Sequence, residues 1–199
     1  MCLLLHKPYG TKVSKEEIEK AWCRNSDGAG FFVNRDGNWT FKKGVMTLKE
    51  LLDYDIFDEH TETALHLRWA SAKTGKTPDL CHPFRFTPLD EGEDEWNYIF
   101  HNGNVRMIVP NDKTSDTELF AETFLSNLKT EDGKKVIDSC SKFGYGKYIT
   151  VNSKVGVRVY DSGTTKGVTE NGVYFSNVLH RTYGQQKNWF QNYGCGSTD

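Results

Sequence analysis

Met1-Cys2-Leu3-Leu4-Leu5-His6 places a cysteine second in the chain with an apolar run directly behind it. A small second residue favours removal of the initiator methionine, and that removal would give Cys2 a free α-amine beside its own thiol. One residue would then hold both a nucleophile and a base. Sulfur attacks as thiolate, and an adjacent base supplies the thiolate at neutral pH. With a reference pKa of about 7.7 to 8.0, roughly a tenth to a fifth of such an α-amine is unprotonated at pH 7. The apolar run reads as a short buried strand, which would hold the terminus still. A cysteine beside an apolar strand also fits plain packing, so the rest of the chain has to decide between the two.

Elsewhere the sequence alternates helix starts, strands and tight turns. Ser14-Lys15-Glu16-Glu17 and Thr47-Leu48-Lys49-Glu50 have the spacing of capping boxes, predicting helices from Lys15 to about Cys23 and through Tyr54. Between them, Asn25 to Gly30 is a turn cluster, Phe31-Phe32-Val33 a strand, Asn34 to Gly37 a hairpin turn and Trp39 to Lys43 the return strand. In the strand Glu62 to Trp69, alternation puts Ala64, His66 and Arg68 on one face and Leu65, Leu67 and Trp69 on the other. From Ala70 to about Glu95 the glycine, prolines and acidic cluster Asp90 to Glu95 predict a long loop with a solvated acidic end. Asn97 to His101 is a further strand. Ser115-Asp116-Thr117-Glu118 opens a third helix with the stripe Leu119, Phe120, Thr123 and Phe124, and another helix covers Asp132 to Cys140. Strands over 147–151, 155–160 and 173–175 follow, and the tail from Gln185 is polar with scattered aromatics. Hairpins outnumber crossovers, which favours antiparallel sheet and an α+β class.

Composition narrows the function. The 199 residues are 37% hydrophobic, with 12 Phe, 9 Tyr and 5 Trp, which is ample material for one folded core. A net charge of -2 gives no electrostatic reason to expect nucleic acid as a partner. No apolar run approaches the ~18–20 residues that span a membrane, and no signal peptide precedes the first strand. The five cysteines, at positions 2, 23, 81, 140 and 195, are odd in number and lack C-x-x-C spacing. That argues against a disulfide framework or structural zinc and for a reducing, cytoplasmic setting. Neither metal nor cofactor is expected.

Four segments bring polar groups suited to substrate chemistry. Arg68, at a strand end before Trp69, offers a planar fork of donors to a carboxylate. His82 lies in Cys81-His82-Pro83-Phe84 of the long loop. In His101-Asn102-Gly103, a side-chain amide next to a glycine N–H offers two donors to one developing oxyanion. Asp116 offers a carboxylate to an ammonium group. Taken singly each has a plainer reading: Arg68 in a surface ion pair, His82 in an extended turn, Asn102-Gly103 as a hairpin dipeptide, Asp116 favouring a helix N-terminus. His66 and His101 read as strand residues satisfied by local hydrogen bonds.

Taken together and in this order, the pieces resemble class II glutamine amidotransferases, the glutaminase domains of the N-terminal-nucleophile hydrolases. The matching pieces are Cys2, the Asn25-to-Gly30 turn with Asp27-Gly28-Ala29-Gly30, His66-Leu67-Arg68-Trp69-Ala70, Cys81-His82-Pro83, His101-Asn102-Gly103, Ser115 to Glu118, and Gly172-Val173-Tyr174-Phe175-Ser176-Asn177. The resemblance covers about residues 2–180 and leaves 181–199 as an unassigned tail. It implies a four-layer αββα sandwich of two antiparallel sheets. It also implies Cys2 as nucleophile with its α-amine as base and then acid, Asn102 and Gly103 as the oxyanion hole, Arg68 on the α-carboxylate of L-glutamine, Asp116 on its α-ammonium, and Trp69 near a closing loop. His82 is a further candidate substrate-binding residue. Glutamine is zwitterionic at its α-carbon, so one cationic and one anionic anchor suit it.

Two departures stand out. Ser71 replaces the family's usual threonine with the next glycine delayed to Gly75, and Asn104-Val105-Arg106 differs from the usual aliphatic continuation. No synthase or ligase sequence accompanies the matched segment, so the ammonia released would go to a separate synthase or ligase partner. Two alternatives remain at this stage: a hydrolase of another γ-glutamyl or small amide, and a non-catalytic glutamine-binding or scaffold protein.

Overall fold

The computed structural model describes residues 1–70, 75–92, 95–106, 108–110 and 113–183. In chain order these form β1 (Leu3–Lys7), α1 (Lys15–Arg24), β2 (Ala29–Arg35), β3 (Asn38–Val45), α2 (Leu48–Asp53), β4 (Glu62–Leu67), β5 (Phe84–Phe86), β6 (Asn97–Gly103), α3 (Asp116–Leu119), α4 (Thr130–Lys142), β7 (Gly146–Asn152), β8 (Gly156–Tyr160), β9 (Val168–Glu170), β10 (Val173–Phe175) and α5 (Leu179–Tyr183).

The strands make two antiparallel sheets, one in the order β3-β2-β4-β1-β10-β9 and the other β5-β6-β7-β8. Three apolar clusters define the layering. Leu3, Leu5, Phe31, Leu65 and Leu67 face Ile18 and Trp22 of α1 and Leu51 of α2. Leu4, Phe32 and Ala64 of the first sheet meet Phe100, Ile149 and Val151 of the second. Ile99 and Tyr148 pack on the other side against Phe120 and Ile137. The result is helix, sheet, sheet, helix. The run Leu3-Leu4-Leu5 is apolar throughout because β1 is buried on both faces, with successive side chains entering different cores.

Local signals explain the element ends. The Ser14 and Thr47 side chains accept hydrogen bonds from the N–H groups of Glu17 and Glu50, both at 3.2 Å, each satisfying a helix-start donor worth about 1 kcal/mol. Asp36 and Gly37 both have positive φ (53° and 83°), the backbone that a two-residue β2–β3 hairpin needs. The Ser115 box closes in both directions, Thr117 N–H to Ser115 Oγ at 3.1 Å and Ser115 N–H to Glu118 Oε2 at 3.3 Å.

Three expectations change. The stretch after Ala70 is not loop throughout: a 3-10 turn spans Pro78–Leu80, and β5 adds an edge strand to the second sheet. Its acidic end is tied down rather than merely solvated. Asp90 accepts from Thr130 N–H at 2.7 Å, Glu91 accepts from Asn97 and Asn152, and Glu95 pairs with Lys154. Glu93 and Asp94 lie outside the described residues. The helical stripe from Leu119 is also redrawn. A π-turn at Phe120–Phe124 shifts the periodicity, so Phe120, Ala121 and Leu125 face the core while Phe124 is exposed. Finally α5 occupies the start of what the sequence left as tail; residues 184–199, including Cys195, lie outside the described residues.

Candidate active site

Sheet register places the polar residues. Leu3 pairs with Leu67, so the residues just beyond these ends, Cys2 and the Arg68-Trp69 segment, come side by side. Trp69 N–H donates to Cys2 Sγ at 3.3 Å, and the thiol reaches the Trp69 carbonyl at 3.6 Å. On the other flank of β1, Ser176 N–H donates to the Leu4 carbonyl at 2.9 Å, and the Asn177 side chain donates to the Cys2 carbonyl at 2.8 Å. The Cys2-Leu3-Leu4 segment is thus held from both neighbouring strands. Burial pushes the Cys2 thiol above its ordinary value, while the Trp69 N–H, the chain's terminal ammonium and the Arg68 guanidinium act in the opposite direction. The Met1 side chain is exposed. The four described cysteines form no disulfide.

The Asp27-Gly28-Ala29-Gly30 turn shapes the wall beside it. The Asp27 carboxylate accepts from Ala70 N–H at 2.8 Å and pairs with Lys76 at 2.6 Å, and Arg68 N–H donates to the Gly28 carbonyl at 2.8 Å. Any Cβ on Gly30 would lie 1.8 Å from the His82 carbonyl oxygen, and one on Gly28 would lie 2.6 Å from Cys81 Sγ. The two glycines therefore let the Cys81-His82-Pro83 segment lie flat on β2. His82 is buried, with its ring 4.0 Å from that of His66 and edge-on to Phe84 at 4.8 Å.

Here one reading of the sequence is corrected. His66 is not satisfied by local hydrogen bonds: among the described residues neither of its ring nitrogens makes one of ordinary geometry, and the same holds for His82. Both rings are enclosed in the space between the sheets, where His82 occupies the face of His66. Burial, followed by the positive charge of Arg68, holds His66 down to about 3. Burial also holds His82 well below its usual value. His101 does fit the expectation, with Nδ1 at 2.9 Å from Thr117 Oγ1, Nε2 at 3.1 Å from the Tyr145 carbonyl, and its ring stacked on Tyr148.

Asn102 and Gly103 end β6. Asn102 Nδ2 donates to Ser176 Oγ at 2.8 Å, and that oxygen also accepts from Leu4 N–H at 2.8 Å. One serine from β10's end thus ties the amide of the second sheet to the strand that carries Cys2. A Cβ on Gly103 would fall 2.4 Å from the Tyr145 carbonyl oxygen and 2.6 Å from Gly146 Cα, so only glycine lets the two strand ends close.

Cys2, Trp69, Asn102 and Gly103 line one open cleft of about 610 Å³, joined there by Lys147 and Asp161. Arg68 and His82 are buried beside this cleft rather than lining it. Asp116 stands apart: its Oδ2 accepts from Val105 N–H at 2.7 Å and its Oδ1 from Thr117 N–H at 2.8 Å. Sequence reasoning gave no role to Ser176, Lys147 or Asp161. Ser176 was visible as part of a matched segment; nothing local marked the other two. Ser71 and the residues through Thr74 lie outside the described residues. Among those described, no group of histidine, cysteine and carboxylate side chains is arranged to hold a metal, and no helix is long and apolar enough to cross a membrane.

No family model and no curated protein matches the sequence. Solved structures do. One is the glutamine phosphoribosylpyrophosphate (PRPP) amidotransferase from B. subtilis, complexed with ADP and GMP, with a TM-score of 0.50 and 13% identity over 88% of this chain. This chain shares the fold of part of that amidotransferase, with two antiparallel sheets between helices. The match covers 41% of the B. subtilis chain, so this protein corresponds to about two fifths of it. At this identity the likeness speaks for the fold alone, and the chemistry has to be argued from the residues.

Proposed function

We propose that this protein is a glutamine amidohydrolase that releases ammonia from L-glutamine through a thioester on Cys2. The observation that carries the reading is the convergence of Cys2, Asn102 and Gly103 on one cleft from two different sheets. A nucleophile and two oxyanion donors at one place are the minimum that acyl transfer needs. After removal of Met1, the Cys2 α-amine takes the thiol proton and the sulfur attacks the side-chain carbonyl carbon. Asn102 Nδ2 and the Gly103 N–H receive the charge on the carbonyl oxygen. Ammonia leaves with the proton returned by the amine, and water then releases glutamate from sulfur. Losing one such donor typically raises the barrier by about 3–4 kcal/mol. Arg68 holds the α-carboxylate, Asp116 the α-ammonium, His82 backs the Arg68 wall, and Trp69 stands at the edge of the closing segment. Matched residues 2–180 form the catalytic domain. The ammonia acceptor is a synthase or ligase.

The test is glutamate release from L-glutamine by protein whose intact mass confirms loss of Met1. Activity is expected, and Cys2→Ala is expected to remove it. Full turnover by Cys2→Ala would refute the mechanism.

A further inference from the structure

The cleft at Cys2 is far larger than ammonia needs: about 610 Å³ against the roughly 30 Å³ that one small solvent molecule occupies. It is also not an apolar conduit. Lys147 sits on β7 opposite Asn102 and lines the cleft; among the described residues its ammonium has one hydrogen-bond partner, the Ser176 carbonyl at 2.5 Å, and it feels the charge of Asp161. Beside it on the neighbouring strand, Asp161 directly follows β8. Its Oδ2 accepts from Gly167 N–H and from Tyr174 Oη at 3.1 Å, while its Oδ1 is buried with no partner among the described residues. Thr164 and Thr165 add hydroxyls on the same wall.

Arg68, the anchor assigned to the glutamyl half of the substrate, does not line this cleft. The cleft is thereby left to whatever is bonded to the other side of the scissile carbonyl. We infer that it is a leaving-group subsite for an amine that carries its own carboxylate, so that the protein cleaves γ-glutamyl amides of amino acids as well as glutamine. Lys147 takes the carboxylate of the amine half. The reaction balances without any co-reactant beyond water. Cys2 sulfur bonds to the γ-carbon, the C–N bond breaks, the departing nitrogen takes the proton held by the Cys2 amine, and an amino acid leaves. Water then breaks the thioester, giving glutamate and restoring the thiol.

This inference rests on the Cys2 mechanism proposed above, and the test separates the two. Rates of glutamate release are compared for L-glutamine, γ-glutamylglycine and γ-glutamylmethylamide, the last without a carboxylate on its amine half. The expected result is a kcat/KM for γ-glutamylglycine at least tenfold above that for γ-glutamylmethylamide, with the ratio collapsing toward one in Lys147→Gln. Because the readout is a ratio of two substrates within one variant, any general damage to folding or to Ser176 cancels. Hydrolysis of glutamine together with equal or lower rates on γ-glutamylglycine than on the methylamide would overturn the subsite and leave the Cys2 mechanism standing. A preference that survives Lys147→Gln would overturn the role of Lys147. No hydrolysis of any of the three by Met1-trimmed protein would overturn both readings.

Discussion

Replacing Ser176 with alanine removes one oxygen that two buried donors share. Leu4 N–H and Asn102 Nδ2 both lie 2.8 Å from Ser176 Oγ, and Leu4 and Ser176 are fully buried. A buried donor stripped of its acceptor costs about 1–3 kcal/mol. The Leu4 N–H lies within the β1 edge of the β10 pairing and has no route to solvent, so it belongs at the upper end of that range. The Asn102 amide borders the cleft and can be rescued by water, so it belongs at the lower end. Together the loss is about 3–4 kcal/mol, which in a chain of this size lowers the thermal midpoint by roughly 6–16 °C. The same substitution frees the Asn102 amide to rotate away from the oxyanion position. Turnover should then fall with KM little changed, by up to the ~10²–10³-fold seen when such a donor is removed outright. The assays are a thermal melt and steady-state glutaminase kinetics on the same preparation. A melt unchanged to within about 1 °C together with unchanged kcat would refute the idea that Ser176 couples the two sheets at the site.

Other substitutions probe the remaining assignments. Asp116→Asn removes the charge and sets an NH2 against one of the two N–H groups, of Val105 and Thr117, that the carboxylate accepts from, so the melt should show a loss of about 1–3 kcal/mol while KM for glutamine rises at least about tenfold; an unchanged KM would leave Asp116 only its helix-start role. Gly30→Ala forces a methyl into the His82 carbonyl, and melting should show a loss of about 3 kcal/mol or more, at the upper end of overpacking costs; an unperturbed melt would contradict the packing of the Cys81-to-Pro83 segment. For pH, His66 is held neutral with its folded value near 3 and an unfolded reference of 6.5. The unfolded chain therefore binds the extra proton first. Stability is fully present above pH 6.5 and is lost as the pH falls toward 3, at about 1.4 kcal/mol per pH unit for this group. His82 adds to the loss in the same direction. Melts from pH 7.5 to 5 should show the decline, and a flat profile would contradict the burial of these rings.

How much of this was legible beforehand depended on range along the chain. Caps and hairpin turns are local, so Ser14, Thr47, Ser115 and Asp36-Gly37 announced their elements, and the apolar run Leu3-Leu4-Leu5 announced a short buried strand. β5 and β9, at three residues each, did not register, whereas the equally short β10 did, its Val-Tyr-Phe run being β-branched and aromatic throughout. The π-turn breaks the 3.6-residue rule on which the Phe120–Phe124 stripe was drawn. His66 was expected to find hydrogen bonds within its own strand, but its environment is set by His82, which arrives from a different segment of chain. The partnership of Leu4 with Ser176 spans 172 positions, and Lys147 and Asp161 meet Cys2 only because two sheets stack. Residues within a recognisable motif were nameable in advance; residues brought in by the stacking of sheets were not.

The most direct measurement is peptide mapping after exposure of Met1-trimmed protein to a glutamine-mimicking electrophile. The account predicts one adduct, on the peptide beginning at Cys2, with competition by L-glutamine. An adduct on Cys23, Cys81 or Cys140 with residue 2 untouched, or labelling that glutamine does not suppress, would contradict it.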